Sequence, residues 1–293
     1  MIVSASYRTD IPALYGDWFV NRLAAGEALV ANPYGGPPYR VSLRPADVKG
    51  FVLWTRNIGP LTGRLAEIAA VAPFVVQFTV TDYPRTLEPG VIDSVTAIAQ
   101  IREIAKAWGP RTAVWRYDPV VETSLTPPDW HRKNFAALAA ALADVVDEVV
   151  VSFAQIYAKT RRNLDAASRR HNFSWHDPED DKKRALIGEL AAIAASHNMR
   201  LTLCSQPALV VAGTQAARCI DAVRLSDLAG HEIKARVKGN RPGCLCHESR
   251  DIGAYDSCPQ GCAYCYAVSS RAAAKRFLAA QDPACESLGA ARR

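Results

Sequence analysis

The sequence predicts an α/β fold in which buried parallel strands alternate with helices. Short runs of almost uninterrupted apolar residues recur along the chain, as expected for strands that are covered on both faces of a sheet. Longer stretches with helical periodicity separate these runs, and this alternation is typical of consecutive βαβ units. With 293 residues, of which 49% are hydrophobic, the chain is long enough to form a large α/β domain with a sizeable core.

The same patterns place the individual elements. Apolar runs predict six strands, at residues 2–5, 50–54, 74–80, 112–115, 148–153 and 200–204. Periodicity predicts a helix that begins near Asp10 and further helices at about residues 61–71, 90–108, 127–144 and 180–197. Glycine and proline predict a loop at residues 32–40. Six strand–helix units are fewer than the eight of a closed TIM barrel, so we predict a partial (β/α)6 TIM-like barrel over residues 1–230.

Charged residues follow several of the predicted strands. In parallel barrels, the side chains that bind and transform substrates collect at the carboxyl ends of the strands. The candidate catalytic residues at these positions are Arg8, Asp10, Arg56, Arg116, Asp118 and Lys159. Several cations at one mouth favour an anionic ligand, so we predict an anionic small-molecule substrate. The alternative is that Arg8 and Arg116 form internal ion pairs, each with the aspartate two residues further on.

A cysteine-rich stretch near the end of the chain is the most specific motif. Its cysteines, Cys258, Cys262 and Cys265, are separated by three and then two residues. Three thiolates at this spacing can hold three corners of a [4Fe-4S] cluster and leave one iron open to a ligand. The alternative is a structural zinc site, because zinc also binds cysteine pairs at such spacings. We predict a cysteine-rich cluster-binding segment at residues 231–275, packed on the barrel mouth.

The other cysteines near this stretch leave several alternatives open. Cys244 and Cys246 lie shortly before the triad, Cys204 ends the sixth predicted strand and Cys219 is expected on the helix that follows it. These four thiols could hold a second cluster or a zinc ion. Alternatively, Cys244 or Cys246 supplies a fourth ligand to the first cluster and closes it. Cys204 and Cys219 taken alone are more often small buried apolar residues than ligands.

Composition limits the expected location and partners. The chain has 35 basic and 29 acidic residues and a net charge of +6, which is too mild to require nucleic acid. It contains neither a long apolar run nor a recognisable signal peptide, so no membrane partner is expected. We therefore predict a cytoplasmic protein with reduced cysteines. Residues 276–293 are predicted to be a disordered tail.

Four motifs carry a resemblance to a known family. They are Ser-x-Arg-Thr-Asp-Ile-Pro near the start, Trp-Thr-Arg-Asn at 54–57, Trp-Arg-Tyr-Asp-Pro at 115–119 and the stretch from Asp251 to Ala267. On these residues the chain resembles an uncharacterised bacterial family, the domain of unknown function numbered 1848 (DUF1848). The resemblance covers about residues 1–270 and implies no established reaction.

The cysteine loop is also similar to the CxxxCxΦC motif of radical SAM enzymes, and in particular to the loop of spore photoproduct lyase, a DNA-repair enzyme. The resemblance implies a [4Fe-4S] cluster on the three cysteines, with S-adenosylmethionine (SAM) on the open iron. It also implies reductive cleavage of SAM, hydrogen abstraction from a substrate, and an electron donor such as flavodoxin or ferredoxin. Tyr264 and Tyr266 are the candidate adenine contacts. Asn57, the third cofactor-binding candidate, follows the second predicted strand, where these enzymes carry Gly-Gly-Glu.

The chain departs from that superfamily in the place of its motif. In most radical SAM enzymes the cysteines follow the first strand, whereas here they follow the sixth. In a ring of strands, the loop after the last strand can reach the same mouth as the loop after the first. A second hypothesis is a TIM-like barrel protein with a closed [4Fe-4S] cluster or a structural zinc site, which acts in electron transfer or structure. A third is nucleic-acid repair, which rests on the lyase resemblance alone.

Overall fold

A parallel sheet of eight strands dominates the computed structural model, which describes residues 1–33 and 35–289. In chain order, the strands are β1 (Ile2–Ala5), β2 (Glu27–Val30), β3 (Tyr39–Ser42), β4 (Gly50–Thr55), β5 (Phe74–Thr79), β6 (Ala113–Val120), β7 (Glu148–Phe153), β8 (Arg200–Leu203), β9 (Gln215–Ala216) and β10 (Ser249–Asp251). The sheet order is β10-β1-β4-β5-β6-β7-β8-β9, and every adjacent pair is parallel. β2 and β3 form a separate antiparallel hairpin.

The six predicted strands are confirmed as β1 and β4 to β8, and the α/β class is confirmed with them. The sheet nevertheless has eight strands, because β9 and β10 add to its two edges. These strands have two and three residues, too few to show an apolar run in the sequence. Within the described residues no backbone pairing joins β9 to β10, so closure into a barrel stays a prediction. The hairpin also has no counterpart in the prediction, and β3 begins inside the predicted loop at residues 32–40.

Helices connect the strands and cover the sheet. In chain order, they are α1 (Ile11–Leu14), α2 (Gly16–Ala25), α3 (Gly59–Thr62), α4 (Leu65–Val71), α5 (Ser94–Trp108), α6 (Pro128–Leu142), α7 (Ala158–His171), α8 (Asp180–Ser196), α9 (Ala222–Ala229) and α10 (Arg271–Ala279). α7 is absent from the prediction because its buried residues are only Thr160 and Leu164, which leave little apolar periodicity. No helix of the described residues is both long and apolar enough to span a membrane.

Apolar side chains cover both faces of the sheet. Successive residues of a strand point to opposite faces, so Phe51 and Leu53 lie in one buried cluster and Val52 in another. The larger cluster packs the sheet against the helices. The smaller cluster contains one residue from each of five adjacent strands, Ile2, Val52, Val75, Val114 and Val150, with Cys219, Leu225 and Cys246. The chain between residues 217 and 246 therefore covers the second face.

The last part of the described chain packs against the beginning of the chain. The Trp18 indole donates to the carbonyl of Cys285 at 3.0 Å, and these residues are 267 positions apart. The Leu29 amide donates to the carbonyl of Glu286, also at 3.0 Å. The predicted disorder is therefore wrong for residues 276–289, because distant side chains order a segment without an apolar run of its own. Residues 290–293 lie outside the described residues.

Candidate functional site

A cavity of about 550 Å³ lies at the carboxyl ends of the parallel strands. Its lining combines residues from the ends of β1, β4, β5, β6, β7 and β8 with the segment that follows β10. All the cysteines of the chain except Cys285 contribute to the lining. The volume lies within the range of about 300–1,000 Å³ that is common for small-molecule sites.

The cysteine triad, Cys258, Cys262 and Cys265, lies in the loop between β10 and α10. Burial raises the pKa of Cys258 to about 12 and also raises the pKa values of Cys262 and Cys265. Within the triad, the charges of Cys258 and Cys265 raise the pKa of Cys262 further, so the thiols are close enough to affect one another. The nearby cations Arg56 and Lys159 act in the opposite direction, on Cys262 and Cys265 respectively.

Contacts from distant parts of the chain hold this loop. They are hydrogen bonds from Tyr15 Oη to the Ser257 carbonyl (2.6 Å), from Asn163 Nδ2 to the Cys265 carbonyl (2.9 Å) and from Arg271 Nε to the Pro259 carbonyl (2.9 Å). Gly261 has a φ of 80°, and a β-carbon there would lie 2.5 Å from the Arg271 side chain. Glycine at this position therefore allows the loop to turn beside the arginine.

Tyr264 belongs to a buried hydrogen-bond network. Its hydroxyl donates to Glu88 and accepts from Arg56, and Arg56 Nη1 lies 2.8 Å from Glu88 Oε1. The Thr81 hydroxyl donates to the same carboxylate at 2.7 Å. The Tyr264 ring lines the cavity, yet the residue is only 8% exposed and packs edge-on against Tyr83. Tyr264 therefore fastens the cysteine loop to the ends of β4 and β5.

Arg8 pairs with Asp251 and not with Asp10, so the alternative of a local ion pair is wrong here. Arg8 Nη2 lies 2.9 Å from Asp251 Oδ1. The hydroxyls of Ser4 and Ser6 donate to the same carboxylate at 2.8 and 2.6 Å. The pairing of β1 with β10 brings these residues together, although Arg8 and Asp251 are 243 positions apart.

Asp10 is occupied by structural hydrogen bonds. Its side chain accepts from the Ala13 amide at 3.1 Å, which caps α1, and from the Thr55 hydroxyl at 2.7 Å. It also accepts from the Arg56 amide at 2.9 Å. Burial raises the pKa of the Asp10 carboxyl to about 6, although these hydrogen bonds oppose the rise. Asp10 thus joins α1 to the end of β4 at the wall of the cavity.

Arg116 and Asp118 form an internal ion pair, which is the alternative to a ligand-binding role that the sequence left open. Arg116 is 3% exposed, and its Nη1 also donates to Gln77 Oε1 at 3.0 Å and to Cys219 Sγ at 3.1 Å. Its guanidinium lies 5.0 Å from the centroid of the Trp54 ring. Arg116 therefore links the ion pair to one of the cysteines on the cavity wall.

Of the remaining predicted residues, Asn57, Lys159 and Tyr266, only Tyr266 lines the cavity. The side-chain oxygen of Asn57 accepts from a backbone amide at the start of α3, and Asn57 is not among the described residues that line the cavity. Lys159 is also outside this lining, with its ammonium 5.7 Å from the centroid of the Tyr255 ring. Tyr266 does line the cavity, and its hydroxyl donates to the Tyr7 carbonyl at 2.7 Å.

The other four lining cysteines, Cys204, Cys219, Cys244 and Cys246, are called here the second cysteine group. Cys219 Sγ lies 3.6 Å from Cys204 Sγ. The neighbouring Cys246 thiol lowers the pKa of Cys244 to about 6. The alternative in which Cys244 or Cys246 supplies a fourth ligand to the triad stays a prediction.

Neither cysteine group has the arrangement that a single metal ion requires. In the described part of the chain, no three histidine, cysteine, aspartate or glutamate side chains are placed to hold one ion. An iron–sulfur cluster is larger and distributes its thiolates over several irons, so the finding does not test a cluster.

Three residues of the site are missing from the predicted site residues, although Asp251 begins one of the family motifs. Glu88 and Asp251 are the partners of Arg56 and Arg8, and only the folded chain brings them together. Arg241 lines the cavity and donates to Cys204 Sγ at 3.4 Å. In the sequence it ends a basic segment that is typical of a solvated loop, so nothing distinguishes it there.

The comparison with known proteins finds one family. The family model for the domain of unknown function DUF1848 matches residues 2–267, a range that includes the strand ends and the triad. No curated protein and no solved structure gives a significant match. The family match confirms the resemblance that the four motifs indicate, and the chain therefore belongs to the DUF1848 family.

Proposed function

We propose that the protein is a radical-SAM-like enzyme, which cleaves SAM reductively at a [4Fe-4S] cluster and removes hydrogen from an anionic substrate. One observation carries the proposal: the triad and the charged residues at the strand ends line the same cavity. Loops at the carboxyl ends of parallel strands are where barrel enzymes place their reacting groups. The triad loop is held there by hydrogen bonds from several other elements.

The triad offers the donor set that such a cluster needs. Three thiolates would bind three irons and leave the fourth for an exchangeable ligand. Arg56 beside Cys262 and Lys159 beside Cys265 would offset part of the negative charge of a thiolate-bound cluster. When bound and reduced by an external one-electron donor, the cluster would supply the electron that cleaves SAM to methionine and a 5′-deoxyadenosyl radical, and this radical would take a hydrogen atom from the substrate.

The lining also provides groups for SAM and a substrate. Arg8, Arg56 and Arg116 are paired with carboxylates, so in this proposal they keep the cavity wall in place. Arg241 also lines the cavity, and no carboxylate of the described chain lies within ion-pair distance of it, since its donors go to Gln155 and Cys204. We assign Arg241 to the anionic group of the substrate, because a guanidinium binds carboxylate or phosphate with two donors at once.

The test is reductive SAM cleavage by the reconstituted protein. The wild-type protein is loaded with iron and sulfide without oxygen, dithionite and SAM are added, and 5′-deoxyadenosine is quantified. We expect 5′-deoxyadenosine from the wild type and only background from Cys262→Ala, because that variant lacks one of the three iron ligands. Cys285→Ala is the matched control, since Cys285 is exposed and lies outside the cavity lining.

The contrary result separates the two candidate functions. A wild-type protein that carries an intact cluster but forms no 5′-deoxyadenosine would overturn the proposal. It would favour the alternative, a barrel-like protein with a closed cluster that transfers electrons or stabilises the fold. A colourless preparation that contains zinc and no iron would favour the structural alternative.

A further inference from the structure

The second cysteine group is the strongest cluster of ligand-type side chains that the proposed reaction does not use. Its members come from separate places: Cys204 follows β8, Cys219 lies between β9 and α9, and the other two precede β10. The fold thus brings together four thiols that span 43 positions of the sequence, from 204 to 246 counted inclusively. In the described residues, Cys285 is the only cysteine that belongs to neither group.

Buried and partly buried cations are directed at two of these sulfurs. Arg116, which is 3% exposed, donates to Cys219 Sγ at 3.1 Å. Arg241 donates to Cys204 Sγ at 3.4 Å. A neutral thiol is a weak hydrogen-bond acceptor, whereas a thiolate accepts charge-assisted hydrogen bonds and is the form that binds metals. Two guanidinium donors therefore suit sulfurs that carry negative charge.

The backbone around the group is also closely constrained. A β-carbon on Gly239 would lie 2.2 Å from the Cys244 carbonyl oxygen, so that position tolerates only glycine without rearrangement. The Ile220 amide donates to Cys246 Sγ at 3.3 Å, and the Lys238 amide donates to the Cys246 carbonyl at 2.9 Å. Amide donors to sulfur are common around iron–sulfur clusters because they stabilise the thiolates.

We propose that Cys204, Cys219, Cys244 and Cys246 bind a second iron–sulfur cluster. All four thiols line the same cavity, and Cys219 Sγ lies 3.6 Å from Cys204 Sγ. Four cysteine thiolates are the usual ligand set of an iron–sulfur cluster, which distributes them over two or four irons. This proposal does not depend on SAM chemistry, because it concerns different ligands and is tested by metal content.

The experiment removes each cysteine group in turn. The variant C258A/C262A/C265A is reconstituted without oxygen, and its iron, acid-labile sulfide and visible spectrum are measured. We expect it to retain sulfide and about two or four irons per chain. The reciprocal variant C219A/C246A should lose these two or four irons and keep the iron bound by the triad. The variant that combines all five substitutions gives the background, and C285A controls for loss of an unrelated thiol.

Several results would overturn the second cluster. One is a folded C258A/C262A/C265A protein, by circular dichroism, with no more iron than the five-substitution background. Another is zinc in place of iron at the second cysteine group. If the C258A/C262A/C265A variant does not fold, the iron content of the wild-type protein is measured instead. More than about four irons per chain, with two distinct paramagnetic signals after reduction, would support the proposal. About four or fewer, with a single signal, contradicts it.

Discussion

Buried arginine–carboxylate pairs occur at both ends of the parallel sheet, and they differ in what else the arginines contact. At the amino ends of the strands, Arg224 is 2% exposed and binds Asp147 at 2.8 Å and Glu148 at 2.6 Å. Arg111 and Arg200 complete this amino-end network through the same two carboxylates. None of its residues is among the described residues that line the cavity.

At the carboxyl ends, the arginines divide their donors between an acid and the cysteine-bearing segments. Arg56 binds Glu88 and also the Tyr264 hydroxyl between two triad cysteines. Arg116 binds Asp118 and also Cys219. Among the described residues, the amino-end network has no hydrogen bond to a cysteine, whereas Arg56 and Arg116 at the mouth each contact a candidate metal ligand or its loop. Arg8, also at the mouth, gives its donors to Asp251. We infer that the amino-end network is a structural element and that the Arg56 and Arg116 pairs position the site.

The largest expected effect is on stability, at the amino end. Arg224→Met leaves Asp147 and Glu148 with one cation fewer in a buried setting. We expect the free energy of unfolding to fall by about 3 kcal/mol, the low end for breaking a buried ion pair, because Asp147 is partly exposed. Urea unfolding measures this change. Arg132→Met, which breaks exposed pairs, should cost less than about 1 kcal/mol.

The same variant also tests the functional half of the comparison. Folded Arg224→Met protein should bind as much iron as the wild type, since its network has no contact with either cysteine group. Loss of iron from the folded fraction would show that the amino-end network supports the site after all.

The next effect is on cluster retention, at the mouth. The double variant Arg56→Met/Glu88→Leu removes both partners of the ion pair, so neither is left buried without the other. We expect the free energy of unfolding to fall by no more than about 2 kcal/mol, the cost of the hydroxyls that lose partners. Iron release to a chelator should become about 10- to 100-fold faster, as for loss of groups that orient metal ligands. An unchanged rate of iron release would show that the Arg56–Glu88 pair, like the amino-end network, does not support the cluster.

The smallest effect is expected for a single hydroxyl. Tyr264→Phe keeps the packing of the ring but removes the group that joins the cysteine loop to Arg56 and Glu88. The loss of about 1 kcal/mol of hydrogen bonding should speed iron release about fivefold. Tyr266→Phe is the matched control, because its hydroxyl bonds only to a backbone carbonyl and the residue is 40% exposed. Equal effects in the two variants would contradict the assigned role of Tyr264.

The elements of the fold could be predicted where their signals are local. The six predicted strands are apolar runs, and the cap of α1 is an aspartate with a proline two residues later, so neighbouring residues suffice to place them. β9 and β10 escaped prediction because two or three residues carry no period. The ordered segment at residues 280–289 escaped for a related reason, since its partners lie in α2 and β2.

The candidate site divides in the same way. The spacing of Cys258, Cys262 and Cys265 and the placement of arginines after strands are properties of the sequence by itself, because ligand spacing and strand ends are short-range features. Only the tertiary structure decided that Arg8 meets Asp251, that Arg56 meets Glu88 and that the second cysteine group assembles. Such contacts depend on which strands are neighbours and which loops share one end of the sheet, and no local pattern encodes either.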